Sequence, residues 1–110
     1  TTKLAHIMKK FGYIERDRWT LPTAYTLVFD GFKPDEIYDI EEYIITFRGY
    51  KAHRSIRSSD HHAEYWYNSS SNSARLNRNL RKMLDHIGIE GRISFSGNIF
   101  NVEKITLRRN

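Results

Sequence analysis

The sequence contains no cysteine, and this absence removes several kinds of chemistry. Disulfide bonds, thiolate zinc sites and cysteine nucleophiles are all excluded. Long apolar stretches are missing as well. No run approaches the roughly 18 residues that a membrane-spanning helix needs, so we expect no membrane span. Proline is confined to Pro22 and Pro34, and glycine to six positions, which leaves the interiors of the predicted helices free of both residues.

The length and composition of the chain are those of one folded domain. The chain has 110 residues, and a domain usually takes about 100–200 residues. Hydrophobic residues make up 39% of the chain and aromatic residues 14%, whereas disordered chains are poor in aromatic side chains. A domain of this length buries enough surface to form a core without disulfide bonds.

Charge is distributed unevenly around the formal net charge of +5. Residues 1–22 carry five basic and two acidic side chains, and residues 23–47 carry one basic and six acidic side chains. Residues 48–110 carry twelve basic and five acidic side chains. Such asymmetry bears on partners and association rather than on the fold. It indicates either an anionic ligand on the basic part or docking between oppositely charged surfaces.

Two segments are predicted along the chain, an N-terminal arm over residues 1–22 and the body of the domain over residues 23–110. In the arm, the apolar residues Leu4, Ile7, Met8 and Phe11 follow helical spacing. A helix this short is marginal by itself in water, so we expect it to form only by docking against another surface.

The body alternates between strand and helix patterns. Runs rich in β-branched and aromatic residues predict strands over residues 24–29, 50–57, 62–67 and 92–95. The segment Ile99 to Ile105 is either a fifth strand in a hairpin with the fourth or the continuation of one bent strand. Within the second strand, strict alternation places Lys51, His53 and Arg57 on one face and Arg54 on the other.

Two apolar stripes of helical period predict the helices. The first helix starts at Lys33-Pro34, where a proline and the acids after it suit a helix N-terminus, and it ends at Gly49. The second starts after the polar segment 68–73 and ends at Gly88, in a typical position for a left-handed cap. The stripes consist of Ile37, Ile40, Ile44 and Phe47 in the first helix and of Leu76, Leu80, Met83, Leu84 and Ile87 in the second.

The elements follow the order β-α-β-β-α-β, with an extra C-terminal strand if residues 99–105 form a hairpin strand. This order predicts an α+β domain of the ferredoxin-like, or split βαβ, type. In that arrangement two helices cover one face of an antiparallel sheet and leave the other face open. We expect Val28, His53 and Trp66 on the open face, where they are available for binding.

No set of side chains in the sequence matches a catalytic or metal centre. Asp60-His61-His62 lies in a predicted hairpin turn, and adjacent histidines on a strand point to opposite faces, so they do not share a metal. His53 and Glu64 are predicted cross-strand neighbours, but no nucleophile or second carboxylate accompanies them. We therefore expect no enzymatic activity, no metal and no cofactor.

Charged side chains form two predicted binding surfaces. Arg78 and Lys82 are four residues apart on one helix, where like charges repel each other unless an anionic group neutralises them. The predicted basic surface combines Lys51, Arg54, Arg57, Arg75, Arg78, Arg81 and Lys82. The predicted acidic surface consists of Asp39, Glu41 and Glu42 on the first helix. These acids either neutralise the second helix or face outward toward a partner.

The two surfaces indicate a non-catalytic interaction module in a protein assembly, which binds a protein partner or a second copy of itself. Nucleic-acid binding through the basic surface is the alternative. The element order is similar to that of the RNA-recognition motif, which stacks bases on aromatic residues of its first and third strands. Here Val28 stands at the first-strand stacking position and Glu64 lies in the third strand, so neither sequence signature matches. No binding site is transferred from that family.

Overall fold

The structure, a computed structural model, describes residues 21–105, which form five strands and two helices. The strands are β1 (Thr23–Asp30), β2 (Tyr50–Ser59), β3 (His62–Ser69), β4 (Gly91–Ser96) and β5 (Ile99–Lys104), and the helices are α1 (Pro34–Ile44) and α2 (Ser73–Ile87). Each predicted strand and helix of the body is present, although α1 ends at Ile44 and not at the predicted Gly49. The hairpin alternative for the C-terminal segment is confirmed. Apart from Leu21 and Pro22, the predicted arm lies outside the described residues.

The five strands form one mixed sheet in the order β2-β3-β1-β5-β4. β1 pairs antiparallel with β3 and parallel with β5. The predicted antiparallel sheet is therefore corrected, because β5 lies between β1 and β4 and runs parallel to β1. Phe100 and Val102 of β5 are fully buried beside β1, whereas on the same face of the edge strand β4 Ile93 is partly buried and Phe95 is 43% exposed.

One core lies between the sheet and the two helices. Tyr25, Leu27 and Phe29 alternate along β1 and are buried on the same face as the apolar stripes of α1 and α2. Both helices therefore cover one face of the sheet, and each fully buried large apolar side chain contributes about 1.5–3 kcal/mol. The buried apolar residues are Tyr25, Leu27, Phe29, Phe32, Ile40, Ile44, Ala63, Tyr65, Tyr67, Leu76, Leu80, Met83, Leu84, Phe100 and Val102. Within residues 21–105, neither helix has the length and hydrophobicity needed to cross a membrane.

Local hydrogen bonds define the starts of both helices, and a glycine ends α2. At the start of α1, the Glu36 carboxylate accepts the Lys33 backbone N–H at 2.8 Å and the Lys104 ammonium at 3.0 Å. Burial alone would raise the pKa of the Glu36 carboxyl, but the Lys33 amide and Lys104 outweigh it and lower that pKa. At the start of α2, the Asn72 side chain accepts a first-turn backbone N–H at 2.8 Å. The helix ends at Gly88 with φ 74°, a left-handed conformation that favours glycine.

Strand β2 departs from strict alternation at two β-bulges. Its pairing with β3 shifts between Tyr50 and Ala52 and again between Ser55 and Arg57. Each shift inserts one extra residue into β2, and each inserted residue reverses the facing of the residues that follow it.

The two bulges overturn the predicted faces of His53 and Arg54, whereas Arg57 keeps its predicted face. Arg54 pairs with Trp66 on the open face, and the second bulge brings Arg57 to the same face. His53 pairs with Tyr67, whose side chain is buried under the helices. The prediction that His53 lies on the open face is therefore wrong.

Candidate interaction surfaces

The open face of the sheet has an aromatic centre. Trp66 on β3 stands between Arg54 on β2 and Thr26 on β1, and Ile99 on β5 continues the same row. The Arg54 guanidinium carbon lies 5.3 Å from the Trp66 ring centroid, a cation–π contact worth about 0.5–1 kcal/mol at an exposed site. Val28 lies in the next row, so the structure places Val28 and Trp66 on the predicted face.

Most other charges of the open face pair with one another, whereas Arg57 has no ion-pair partner among the described residues. His62 Nδ1 lies 3.2 Å from the Asp30 carboxylate, and its Nε2 lies 2.7 Å from Glu64. The hydrogen bonds to Glu64 and Asp30 raise the pKa of His62, because only a doubly protonated ring can donate to both carboxylates. Nearby, Arg92 lies 3.5 Å from Glu103. These pairs leave the face close to electrical balance.

His53 belongs to a polar cluster between α1 and the sheet. Its Nε2 lies 3.1 Å from Glu41, and its Nδ1 lies 3.0 Å from the Tyr50 hydroxyl. The Tyr65 hydroxyl donates to the other oxygen of Glu41 at 3.3 Å, and burial together with the Glu41 charge raises the pKa of Tyr65 to about 12. The cluster therefore ties α1 to β2 and β3. His53 is not a cross-strand neighbour of Glu64, so the predicted acid–base pair does not form.

The predicted acidic surface on α1 divides into two parts. Glu41 is half-buried and hydrogen-bonded toward the sheet. Asp39 and Glu42 are exposed, and together with Tyr43 and Ile87 they border a cavity of about 310 Å³ between α1 and α2. Asp39 and Glu42 are therefore the members of this surface that a partner could contact directly.

Helix α2 presents four exposed cations, Arg75, Arg78, Arg81 and Lys82, which we call the cationic ridge. Their helical positions lie away from the buried apolar stripe of α2. Among the residues that the structure describes, no ion pair joins the cationic ridge to an acid of α1. Of the two predicted alternatives, neutralisation of α2 by α1 is not observed.

The seven predicted basic residues do not form one surface. Arg54 and Arg57 lie on the open face of β2, and Lys51 lies in its first bulge. The cationic ridge is on the other, helix-covered side, where α2 packs against β4. Because β2 and β4 are opposite edges of the sheet, one ligand would have to wrap around the domain to contact all seven residues.

Two hydrogen-bonded clusters were not predicted from the sequence, one around His62 and one around His53. A signal for the first was present, because His62 and Glu64 are two apart on a strand and so share a face. Asp30 joins them only through the register between β1 and β3, which pairs Asp30 with His62. Within residues 21–105, no group of three or more histidine and carboxylate side chains is placed to hold a metal ion.

The chain matches no protein-family model, and no curated protein matches it significantly. Its function is therefore inferred from three surfaces: the open face, the exposed acids of α1 and the cationic ridge of α2.

Proposed function

We propose that this domain is a non-catalytic interaction module that binds a protein partner through the oppositely charged sides of its helix layer. The supporting observation is that the cationic ridge has no ion-pair partner on α1 among the described residues. Charge that is not neutralised within the molecule is available to a partner, and complementary charges on that partner speed association and set its orientation.

The presence of both charge signs on one layer favours a protein over a polyanion. Asp39 and Glu42 border the cavity between the helices, and Ile87 of α2 lines the same cavity. A nucleic acid would be attracted to the cationic ridge and repelled by these acids, whereas a protein surface can complement both. The balanced open face offers a nucleic acid little further attraction.

Capture of partners on the immobilised full chain tests this proposal. The extract comes from the cells that make the protein, and the bound proteins are identified by mass spectrometry. The double variant Arg78→Glu, Lys82→Glu should lose them, because it reverses two charges of the cationic ridge. The matched control Arg54→Glu, Arg57→Glu reverses two exposed arginines on the open face and should retain them. Equal capture by all three chains would contradict the proposal.

Self-association is one form of the proposed binding, and sedimentation velocity of the full chain measures it. Charge-driven association should weaken as salt rises, because salt screens exposed charges. In a second measurement, Asp39→Lys, Glu42→Lys is mixed with Arg78→Glu, Lys82→Glu. If copies dock acidic side to basic side, the mixture should associate although neither variant does so alone.

We also propose that the fold is an elaborated ferredoxin-like domain. The element order β1-α1-β2-β3-α2-β4 and the strand neighbours β2-β3-β1 support this, with β5 as a strand inserted beside β1. Nuclear Overhauser contacts between Val28 and Asn101, which are parallel partners, would support the insertion. Direct pairing of β4 with β1 would contradict it.

Nucleic-acid binding through the cationic ridge is a second candidate, favoured by its four exposed cations. If the ridge contacts phosphates of a single-stranded RNA, log affinity should fall with log salt by about 0.7 per contact. We expect no retention of a short single-stranded RNA at physiological salt, because Asp39 and Glu42 lie on the same layer. Retention that disappears in Arg78→Glu, Lys82→Glu would instead favour this candidate.

A further inference from the structure

Exposed apolar side chains border a groove between α1 and β2, which we call the α1–β2 groove. Tyr38 is 63% exposed, and Ile45, the residue after α1, is 44% exposed. Together with Glu41, Glu42 and His53 of β2 they line a cavity of about 240 Å³. Tyr38 and Ile45 are two helical turns apart and so lie along the same side of the helix. They form an apolar strip about 10 Å long.

The charge around the α1–β2 groove is negative. Glu36 is paired with Lys104 and Glu41 is hydrogen-bonded toward the sheet, but Glu42 is exposed. Among the described residues, Glu42 forms no ion pair. Helix α1 contains no basic residue, and its acids are Asp35, Glu36, Asp39, Glu41 and Glu42. A basic segment with an apolar stripe therefore complements this groove.

The N-terminal arm contains such a segment at residues 3–11. The segment carries Lys3, Lys9 and Lys10 and no acidic residue. Its apolar residues, at helical spacing, are Leu4, Ile7, Met8 and Phe11. Lys3 and Lys10 are two turns apart, so in a helix they share one flank of the apolar stripe. Because so short a helix is marginal by itself in water, it needs a surface to dock against.

The arm joins the domain at the end of the sheet where the α1–β2 groove lies. Thr23, the first residue of β1, pairs with Ser69, and Ser69 also pairs with Tyr50, the first residue of β2. Neighbouring strands lie about 4.8 Å apart, so β1 and β2 begin about 10 Å from each other. Residues 12–20 connect the segment to Leu21 and can span up to about 30 Å. The segment can therefore reach the full length of the groove.

Tethering and charge favour this segment over other occupants of the groove. A short linker gives the segment an effective concentration in the millimolar range, which a second copy does not reach in dilute solution. The open face of the sheet lies within similar reach of the arm. That face is close to electrical balance and carries Arg57 without an ion-pair partner among the described residues. It therefore offers the lysines of the segment no comparable attraction.

We propose that residues 3–11 dock as a helix in the α1–β2 groove of their own chain. The apolar stripe of the segment would cover Tyr38 and Ile45, and its lysines would lie beside Glu42. This contact within one chain does not depend on the proposed function. It would shield part of the acidic surface of α1 and leave the cationic ridge of α2 available to a partner.

Paramagnetic relaxation in the ¹⁵N-labelled full chain tests this inference. Because the sequence contains no cysteine, Ala5→Cys supplies a single attachment site for a nitroxide spin label beside the apolar stripe. The label should broaden the amide signals of residues 38–45 and 51–53 more strongly than those of residues 64–68, which lie deeper in the sheet. An arm that does not dock would broaden both sides of the sheet equally around the start of β1.

Matched variants test the apolar contact. Tyr38→Ser, Ile45→Ser removes the apolar strip and should abolish the preferential broadening of residues 38–45. Ile56→Ser, Ile99→Ser removes two other exposed apolar side chains, which are 52% and 43% exposed, and should leave that broadening unchanged. Unchanged amide signals from β1 show that each variant remains folded.

A second pair of variants tests the contribution of charge. Glu42→Gln should lower the docking equilibrium constant about threefold, as expected for loss of an exposed charge pair, and reduce the preferential broadening. Asp60→Asn, in the turn between β2 and β3, removes one exposed acid at the other end of β2 and should have no such effect.

An isotope mixture distinguishes docking within one chain from docking between copies. Spin-labelled chain without ¹⁵N is mixed with ¹⁵N-labelled chain without the spin label, and no broadening is expected. Broadening in this mixture as strong as in the singly labelled chain would mean that the arm docks on another copy. That result, stronger broadening of the open face, or equal broadening of both sides of the sheet would overturn the inference.

Discussion

His62 is the side chain whose protonation matters most directly to the charges of the open face. It bridges Asp30 and Glu64 through its two ring nitrogens, and these hydrogen bonds raise its pKa above the ordinary value of about 6.5. A histidine pKa that is raised in the folded state adds stability that is fully present below the unfolded pKa. That contribution is lost as pH rises through the folded pKa.

Replacement of His62 should therefore lower the free energy of unfolding by an amount that depends on pH. His62→Gln should lower the free energy of unfolding by about 0.5 kcal/mol near pH 5.5 and leave it unchanged near pH 9, since exposed charge pairs are worth about 0.2–1 kcal/mol. Urea denaturation at both pH values measures this difference. His61→Gln, in the adjacent turn, should show no such dependence. An equal loss for His62→Gln at both pH values would count against the doubly protonated ring.

Gly49 is constrained by its backbone angle and by its neighbours. Its φ is 92°, and an added Cβ would lie 2.7 Å from Ser71 Oγ and 3.0 Å from Ser71 N. Gly49→Ala should lower the free energy of unfolding by at least about 2 kcal/mol, because a clash adds to the left-handed backbone cost of about 1–2 kcal/mol. Gly88 has φ 74° and open space around it. Gly88→Ala should therefore lower the free energy of unfolding only by the backbone cost. Equal losses in chemical denaturation would show that the contact with Ser71 is unimportant.

The face of the sheet on which a side chain lies was predictable where the alternation along the strand is regular. Val28 and Trp66 lie on the open face as expected, because β1 and β3 pair without a register shift. His53 was misplaced, because the bulge after Tyr50 leaves no distinctive signal in a strand of mixed polar residues. The contact of Asp30 with His62 depends on pairing between residues 32 apart in sequence, and local pattern carries no information about that pairing.

The cap of α2 was predicted within the polar segment 68–73, and the structure identifies it as Asn72. Asn72→Ala should lower the free energy of unfolding by about 1 kcal/mol, because a first-turn backbone N–H loses its acceptor. Asn72→Ser keeps an acceptor in place and should retain most of the stability. Thermal denaturation of both variants measures the difference, and identical melting temperatures would contradict capping by Asn72.

The position of β5 in the sheet is the feature of the elements that sequence reasoning could not supply. The sequence left a hairpin and one bent strand as alternatives for residues 99–105, and the structure confirms the hairpin. A hairpin can, however, present either of its strands to β1. The choice follows from burial of Phe100 and Val102 beside β1, which requires knowledge of the assembled core.

Across the whole molecule, the sequence predicted the segregation of charge but not its division between faces. Segregation is a count along the chain, whereas the separation of Arg54 and Arg57 from the cationic ridge depends on the β2 bulges and on the strand order. The exposed acids of α1 and the cationic ridge lie on one layer, and the structure shows no ion pairs between them among the described residues.

Charge reversal on the cationic ridge should therefore leave stability nearly unchanged. Arg78→Glu, Lys82→Glu should alter the free energy of unfolding by less than about 0.5 kcal/mol, as is usual for surface substitutions without partners. Lys104→Glu should lower it by about 2 kcal/mol or more, because it breaks the half-buried pair with Glu36. Unfolding in guanidinium chloride measures the free energy of unfolding of both variants. If the cationic-ridge variant lost as much stability as Lys104→Glu, the cationic ridge would have to form ion pairs within the molecule.

Lysine acetylation of the chain, free and bound to its captured partner, tests the proposed helix-layer surface most directly. Lys33, Lys51 and Lys82 are all exposed in the described part of the chain, and they lie before α1, in the first β2 bulge and on the cationic ridge. Protection of Lys82 in the complex, with Lys33 and Lys51 as reactive as in the free chain, is the predicted result. Protection of Lys51 with Lys82 still reactive would place the partner elsewhere and contradict the account.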